Sequence, residues 1–236
     1  STYKFTNVEG REFGSNIPFN PSVTNNTIIT HEAFTADVLL SFRPGMQYAS
    51  RPEGKYNLGT KYPVFRFYYT KGFNALGSDV DFDKYRVTVS DEMDLGLFGK
   101  LSYLAGYGDF LNSHSVFFQD YRHFNGNQTW FSKFRLDDIR SLDYYAFSTT
   151  HSYVEAHGEY NMGGFLLNKI PLIRKLKFRE IVTVHYLKTN ELKQFVEVTA
   201  GIEKLNLLRM EFVTSFSDGN RAAIGAVFGL KYTFGL

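Results

Sequence analysis

The chain has 236 residues, 17% of them aromatic, with 24 Phe and 16 Tyr against a single Trp, no Cys and a net charge of +2. So small a charge argues against a nucleic-acid partner, the missing cysteines remove disulfides and thiolate metal sites, and no apolar run reaches the roughly 18 residues of a membrane helix. The chain starts at Ser1 without a basic head and apolar stretch, so any secretion signal is expected upstream or already removed.

Residues 1–26, rich in Asn and Ser with Pro18 and Pro21, read as the tail of an external loop. From there period-2 alternation dominates, the mark of strands whose two faces meet different surroundings. Phe34, Ala36, Val38, Leu40 and Phe42 stand against Thr35, Asp37, Ser41 and Arg43; Phe65, Phe67 and Tyr69 against Arg66 and Thr70. Tyr85, Val87 and Val89 oppose Arg86, Thr88 and Ser90, and Leu101, Tyr103, Ala105 and Tyr107 oppose Ser102, Gly106 and Gly108. After a long connection, Val154, Ala156, Tyr160 and Met162 oppose Glu155, His157, Glu159 and Asn161. The run from Arg179 to Leu187 alternates less cleanly, because Ile181 shares a face with Thr183 and His185. Val196, Val198, Ala200 and Ile202 then oppose Glu197, Thr199 and Glu203, and Leu208, Met210, Phe212 and Phe216 oppose Arg209, Glu211 and Ser215. The last run, from Ala222 to Phe234, puts apolar residues on one face and small ones with Lys231 on the other.

These are about nine strands of the length that crosses a tilted bilayer. Alternation also suits a soluble sandwich or a lipocalin-like barrel, with the apolar face turned inward. Acidic and basic residues mixed on one face, and aromatics recurring toward strand ends, favour a wet lumen and an interfacial girdle instead. The expected fold is therefore all-β: a transmembrane antiparallel β-barrel in the outer membrane, with residues 27–236 as the C-terminal part of a larger barrel. An odd strand count leaves open edges, so the partners expected are outer-membrane lipids and either a missing N-terminal part of the same barrel or another subunit. Counting back from a periplasmic C-terminus places 111–152 and 73–83 outside and 96–99 and 204–206 as tight periplasmic turns. The connection 164–177 breaks that rule, being long, basic and apolar; it reads either as an amphipathic turn on inner-leaflet headgroups or as a cap on the barrel rim.

Several segments resemble a family of large outer-membrane proteins of Bacteroidota that carry a carboxypeptidase-regulatory-like domain ahead of a barrel of unknown function. They are Phe42 to Tyr48 (FRPGMQY), Ser50 to Pro52, Gly59 to Pro63 (GTKYP), Gly77 to Lys84 (GSDVDFDK), Phe117 to Thr129 (FFQDYRHFNGNQT), Tyr144 to Thr149 and Gly164 to Arg179 (GFLLNKIPLIRKLKFR). Gly229, Tyr232 and Phe234 are similar to the assembly signal of outer-membrane barrel strands, although Gly235 and Leu236 follow. By layout the chain also resembles, more distantly, the barrel-assembly and two-partner secretion transporters, whose lumen is plugged by a loop. That likeness implies a lumenal loop here, with Phe117, Phe118, Asp120, Tyr121, Arg122, Phe124, Asn125 and Asn127. The transporters' Arg-Gly-aromatic motif is replaced by Arg122 followed by His123, and His185 stands near the place of their acidic partner.

The loop's aromatics are too many for a segment free in water and are expected on the inner wall. Arg122 would then need a carboxylate, with Asp120 near in sequence and Glu155 and Glu159 flanking His157 on the next strand. The same Glu-His-Glu run is weighed as acid–base or metal chemistry and read as lumenal lining. Asp79, Asp81 and Asp83 alternate like calcium ligands, but Lys84 and Ser90 occupy the positions where such a loop needs Gly and Glu. No nucleophile elbow or triad spacing is present, so no enzyme, cofactor or metal is expected. The functional expectation is an outer-membrane barrel of the cell envelope that assists polypeptide assembly or transport, the alternative being a passive structural or surface-binding barrel beside other envelope proteins.

Overall fold

The computed structural model describes residues 2–5, 31–127, 129, 131–190, 194–205 and 207–230. Among the described residues, strand covers each alternating run almost to its ends. In chain order the strands are β1 (Thr2–Phe5), β2 (His31–Phe42), β3 (Gln47–Arg51), β4 (Gly54–Gly59), β5 (Val64–Phe73), β6 (Asp81–Asp94), β7 (Lys100–Ser115), β8 (Phe131–Ser132), β9 (Tyr153–Asn161), β10 (Phe178–Thr189), β11 (Phe195–Lys204), β12 (Leu208–Ser217) and β13 (Asn220–Leu230). Nine of these are long, and they form one antiparallel meander in the order β2-β5-β6-β7-β9-β10-β11-β12-β13. Among the described residues the sheet's ends are covered only briefly. β1, which falls within the segment read from sequence as a loop tail, pairs with His31–Phe34 of β2, and the two residues of β8 run parallel to Phe228 and Gly229 of β13. β3 and β4 form a separate hairpin.

The two faces of the sheet differ in the sense opposite to that of a water-soluble sandwich. On β9 to β12 one face carries covered charge: Glu155, His157, Glu159, His185, Glu197, Glu203, Arg209 and Glu211 are all at most 6% exposed, and the exposed Arg179 and Lys188 lie at the ends of β10. The other face is bare and apolar, with Leu40 at 61%, Phe212 at 65% and Ile224 at 73% exposed. Ile181 sits with Thr183 and His185 on the covered face, which explains the broken alternation of β10. On the apolar face, aromatic rings line up across strands, as in Phe42 with Phe65, Phe67 with Tyr85 and Tyr85 with Tyr107, the cross-strand pairing that stabilises a sheet.

Register assigns every connection to one end or the other. The β2–β5, β6–β7, β9–β10 and β11–β12 connections share the end at which β13 finishes. Loop length is thus a poorer guide to sidedness than expected. The 43–63 connection, on the end assigned to short turns, holds the whole β3–β4 hairpin, which satisfies its own backbone. At the opposite end β12 and β13 are joined through Asp218 and Gly219 alone, both at positive φ (53° and 80°) as a two-residue hairpin of matching twist requires. The stretch 73–83 is not all loop either, since β6 begins at Asp81. Its three aspartates take protein partners: Asp79 accepts from the Glu32 amide, Asp81 from Asn112, and Asp83 pairs with Lys71 at 2.8 Å.

Candidate functional site

What covers the charged face is the long β7–β9 connection, residues 116–152. A peptide segment lying on a polar wall must satisfy its own backbone as well as the wall's charges. It does so partly by folding on itself: Arg122 and Thr149 exchange backbone hydrogen bonds (2.9 and 3.1 Å), Asn125 O accepts from Ile139 N (2.8 Å), and Leu142 O accepts from Asn127 N (3.1 Å). Gly126 belongs to this fold, because a Cβ there would lie 2.4 Å from the Leu142 carbonyl oxygen. Phe124, Ile139, Leu142 and Phe147 then bury against Tyr153, Leu187 and Phe195 of the sheet.

Two sets of ionic contacts tie the loop to the wall. In the first, Arg122 Nη2 donates to both oxygens of Glu155 (3.3 and 3.0 Å), and Arg86 of β6 reaches the same carboxylate at 2.6 Å. The Arg122 guanidinium also lies 5.0 Å from the Phe124 ring centre and 5.4 Å from that of Tyr153. In the second, Glu197 accepts from the backbone amides of Arg140 (2.8 Å) and Ser141 (2.7 Å) and from the Ser141 hydroxyl, while Arg140 Nε donates to Glu211 at 3.0 Å. Arg209 completes it: Nη1 pairs with Glu159 at 2.8 Å, Nε with Glu211 at 2.7 Å, and Nη2 donates to Thr183 at 3.2 Å. Phe134 is 2% exposed, its ring 5.3 Å from the Arg140 guanidinium and 5.0 Å from that of Arg209. Between the two sets stand His157 and His185, cross-strand neighbours with Nδ1 atoms 2.8 Å apart. One of them must donate and the other accept, so the pair carries unlike tautomers when neutral.

The structure brings the anticipated residues together unevenly. Glu155 meets Arg122, but Glu159, offered by its position on the same face as a second clamp, lies with Arg209 instead. Asp120 is buried, 3.9 Å from His31. Among the loop aromatics Phe124 enters the apolar cluster and Phe117 stacks on His31 at 3.9 Å. Phe118 packs within the loop on Tyr121, His123 and Tyr145. Asn125 donates to Asp137 at 2.7 Å, and Asn127 accepts from Thr129, so both brace the loop and not the wall. Gly229 lets β8 approach, for a Cβ there would fall 2.1 Å from Ser132 O; Tyr232 and Phe234 lie outside the described residues.

Arg140, Ser141 and Arg209 were not singled out from sequence. Arg209 had a signal, since it shares the strand face of Glu211; Arg140 follows two aspartates in a loop and had none. Two loop groups titrate abnormally. Burial holds His123 below the ordinary histidine value, although its Nε2 contact with Phe118 O opposes this, and burial pushes Asp138 above the usual carboxylate range against a hydrogen bond from Arg135 N.

No curated protein and no solved structure matches the chain. Residues 1–202 match the C-terminal domain of a family of unknown function, DUF5686, and as that match takes in most of its length the chain belongs to this family.

Proposed function

We propose that the chain forms part of the wall of an outer-membrane β-barrel in the Gram-negative cell envelope, with the 116–152 loop held in its lumen as a plug. One observation carries this: on β9 to β12 the ionisable side chains of one face are covered, while the opposite face of the sheet presents bare large apolar side chains. In water such a face, contiguous over the nine long strands, would drive aggregation, whereas in lipid it is the expected exterior. The charged network is then a lumen lining, to which the loop is tied through Arg122, Arg140 and Ser141.

Among the described residues, backbone pairing on the outer side of β2 ends at Phe34, and on that of β13 it is confined to Phe228 and Gly229. Unpaired strand edges are not tolerated in hydrocarbon. Further strands, from the same polypeptide or another subunit, therefore complete the barrel. Fixed anchoring of the loop favours a structural or surface-binding barrel. Assistance to polypeptide assembly or transport is the second reading, favoured by the β13 edge, where displacing the two residues of β8 would free a strand-length template.

Separation of inner and outer membranes, followed by carbonate washing, tests the proposal. The protein is expected in the washed outer-membrane pellet, with a gel mobility that shifts on heating. Release by carbonate, or sedimentation as a water-soluble species, would overturn it.

A further inference from the structure

We infer that the end of the sheet at which β13 finishes is a docking surface for anionic phospholipid headgroups, centred on the β9–β10 connection; this rests on the membrane reading above. The two ends differ sharply in charge. Connections at the β13-finishing end (43–63, 95–99, 162–177 and 205–207) carry eight Lys or Arg and one acidic residue, while those at the other end (74–80, 116–152, 190–194 and 218–219) carry five basic and seven acidic. Half of the basic residues at the first end fall within 162–177, as Lys169, Arg174, Lys175 and Lys177, all exposed and with no acid among them.

Apolar side chains stand beside these charges. Leu97 is 92%, Phe98 60%, Leu166 52%, Ile170 46%, Leu176 46% and Phe165 45% exposed. Neighbouring turns join into one ledge: the rings of Phe98 and Phe165 are 6.0 Å apart, Lys169 Nζ lies 4.3 Å from the Phe165 ring centre, and Tyr160 Oη donates to Phe98 O at 2.7 Å. Tyr160 belongs to the outward face of β9, so the ledge continues the bare apolar face. Apolar side chains reaching into the acyl boundary beneath a row of cations is the arrangement of an interfacial segment. A water-exposed cap would have no use for the leucines, and an acidic protein partner would not account for their continuity with the apolar wall.

The test uses the full-length protein, extracted in mild detergent, exchanged into an equimolar mixture of phosphatidylglycerol and phosphatidylethanolamine, and examined by native mass spectrometry for retained lipid. Phosphatidylglycerol is expected to be retained at least about tenfold over phosphatidylethanolamine. Since each basic residue near an anionic surface contributes about a fivefold gain, the variant combining Lys169→Gln, Arg174→Gln, Lys175→Gln and Lys177→Gln should lose about tenfold or more, allowing for mutual screening. A variant with Lys169, Lys175 and Lys177 changed to Arg should keep the preference. Equal retention of both lipids by the wild type, or undiminished preference in the Gln variant, overturns the inference. So does an acidic protein that co-purifies through these four residues in place of lipid. Carbonate washing of the wild type separates the two levels: a chain that stays in the membrane without lipid preference refutes the docking surface alone, and a chain that is stripped refutes the membrane reading and this inference with it.

Discussion

Truncating either side of the Arg122–Glu155 contact should not cost the same, and the asymmetry measures how the loop is held. Glu155 has a side chain only 3% exposed and faces two guanidinium groups, Arg122 at 3.0 Å and Arg86 at 2.6 Å, whose side chains are 27% and 22% exposed. Arg122→Ala leaves the buried carboxylate paired with Arg86. Its cost is a charged hydrogen bond to a partly hydrated group plus the contacts over Phe124 and Tyr153, together about 2 kcal/mol. Glu155→Ala leaves two partly buried cations facing each other without a counter-charge, which should cost about 3 to 5 kcal/mol. The double variant should cost less than the sum, since the second loss removes a group already orphaned. Urea unfolding in lipid, followed by the heat-dependent gel shift for the sheet and by the fluorescence of Trp130, the only tryptophan and one within the loop sequence, would separate loop release from global unfolding. Equal and additive effects of the two single changes would refute the shared-carboxylate account.

Three further outcomes follow from single positions. On the proposed membrane reading, Phe212→Arg on the bare face should destabilise the folded protein in bilayers by about 2 to 4 kcal/mol at the midplane, while Gly225→Ser, whose added Cβ meets nothing within 4 Å, should stay within about 0.5 kcal/mol by the same unfolding assay. Gly126→Ala should force the 122–149 fold apart from the Leu142 carbonyl at a cost of about 1 to 3 kcal/mol, seen as faster protease cutting within 116–152; an unchanged digestion rate would count against that close approach. Burial depresses the His123 pKa, so the unfolded loop binds the proton more readily: its stability should be full above the ordinary histidine value and fall as pH drops through that value toward the depressed one. His123→Gln should flatten that slope. Asp138 has the opposite sign, its contribution declining as pH rises above the ordinary carboxylate range, and Asp138→Asn should remove it; both are read from loop proteolysis against pH.

The alternation of runs such as Leu208–Phe216 determined the nine long strands and which side chains share a face, because a strand's side chains change sides at every residue; the short β1, β3, β4 and β8 left no such pattern. It also determined that one face is apolar and the other charged. Which face is covered is not a property of any strand. That was decided when the 116–152 loop folded over the charges, and a lone strand offers either face to water. Glu155 and Glu159 are equivalent along β9, yet one meets Arg122 and the other Arg209, because partners 33 and 50 residues away are set by how the loop settles and how β12 aligns across the sheet. Arg140 was hidden for the same reason: in a loop without periodicity, only its approach to Glu211, 71 residues later, separates a buried anchor from a solvated charge. The 43–63 connection makes the point for topology, since its length suggested nothing of the β3–β4 hairpin, and register alone put it at the same end of the sheet as the basic ledge. Local pattern chooses the element and its faces; long-range contacts, which depend on where every other element lies, choose the partners.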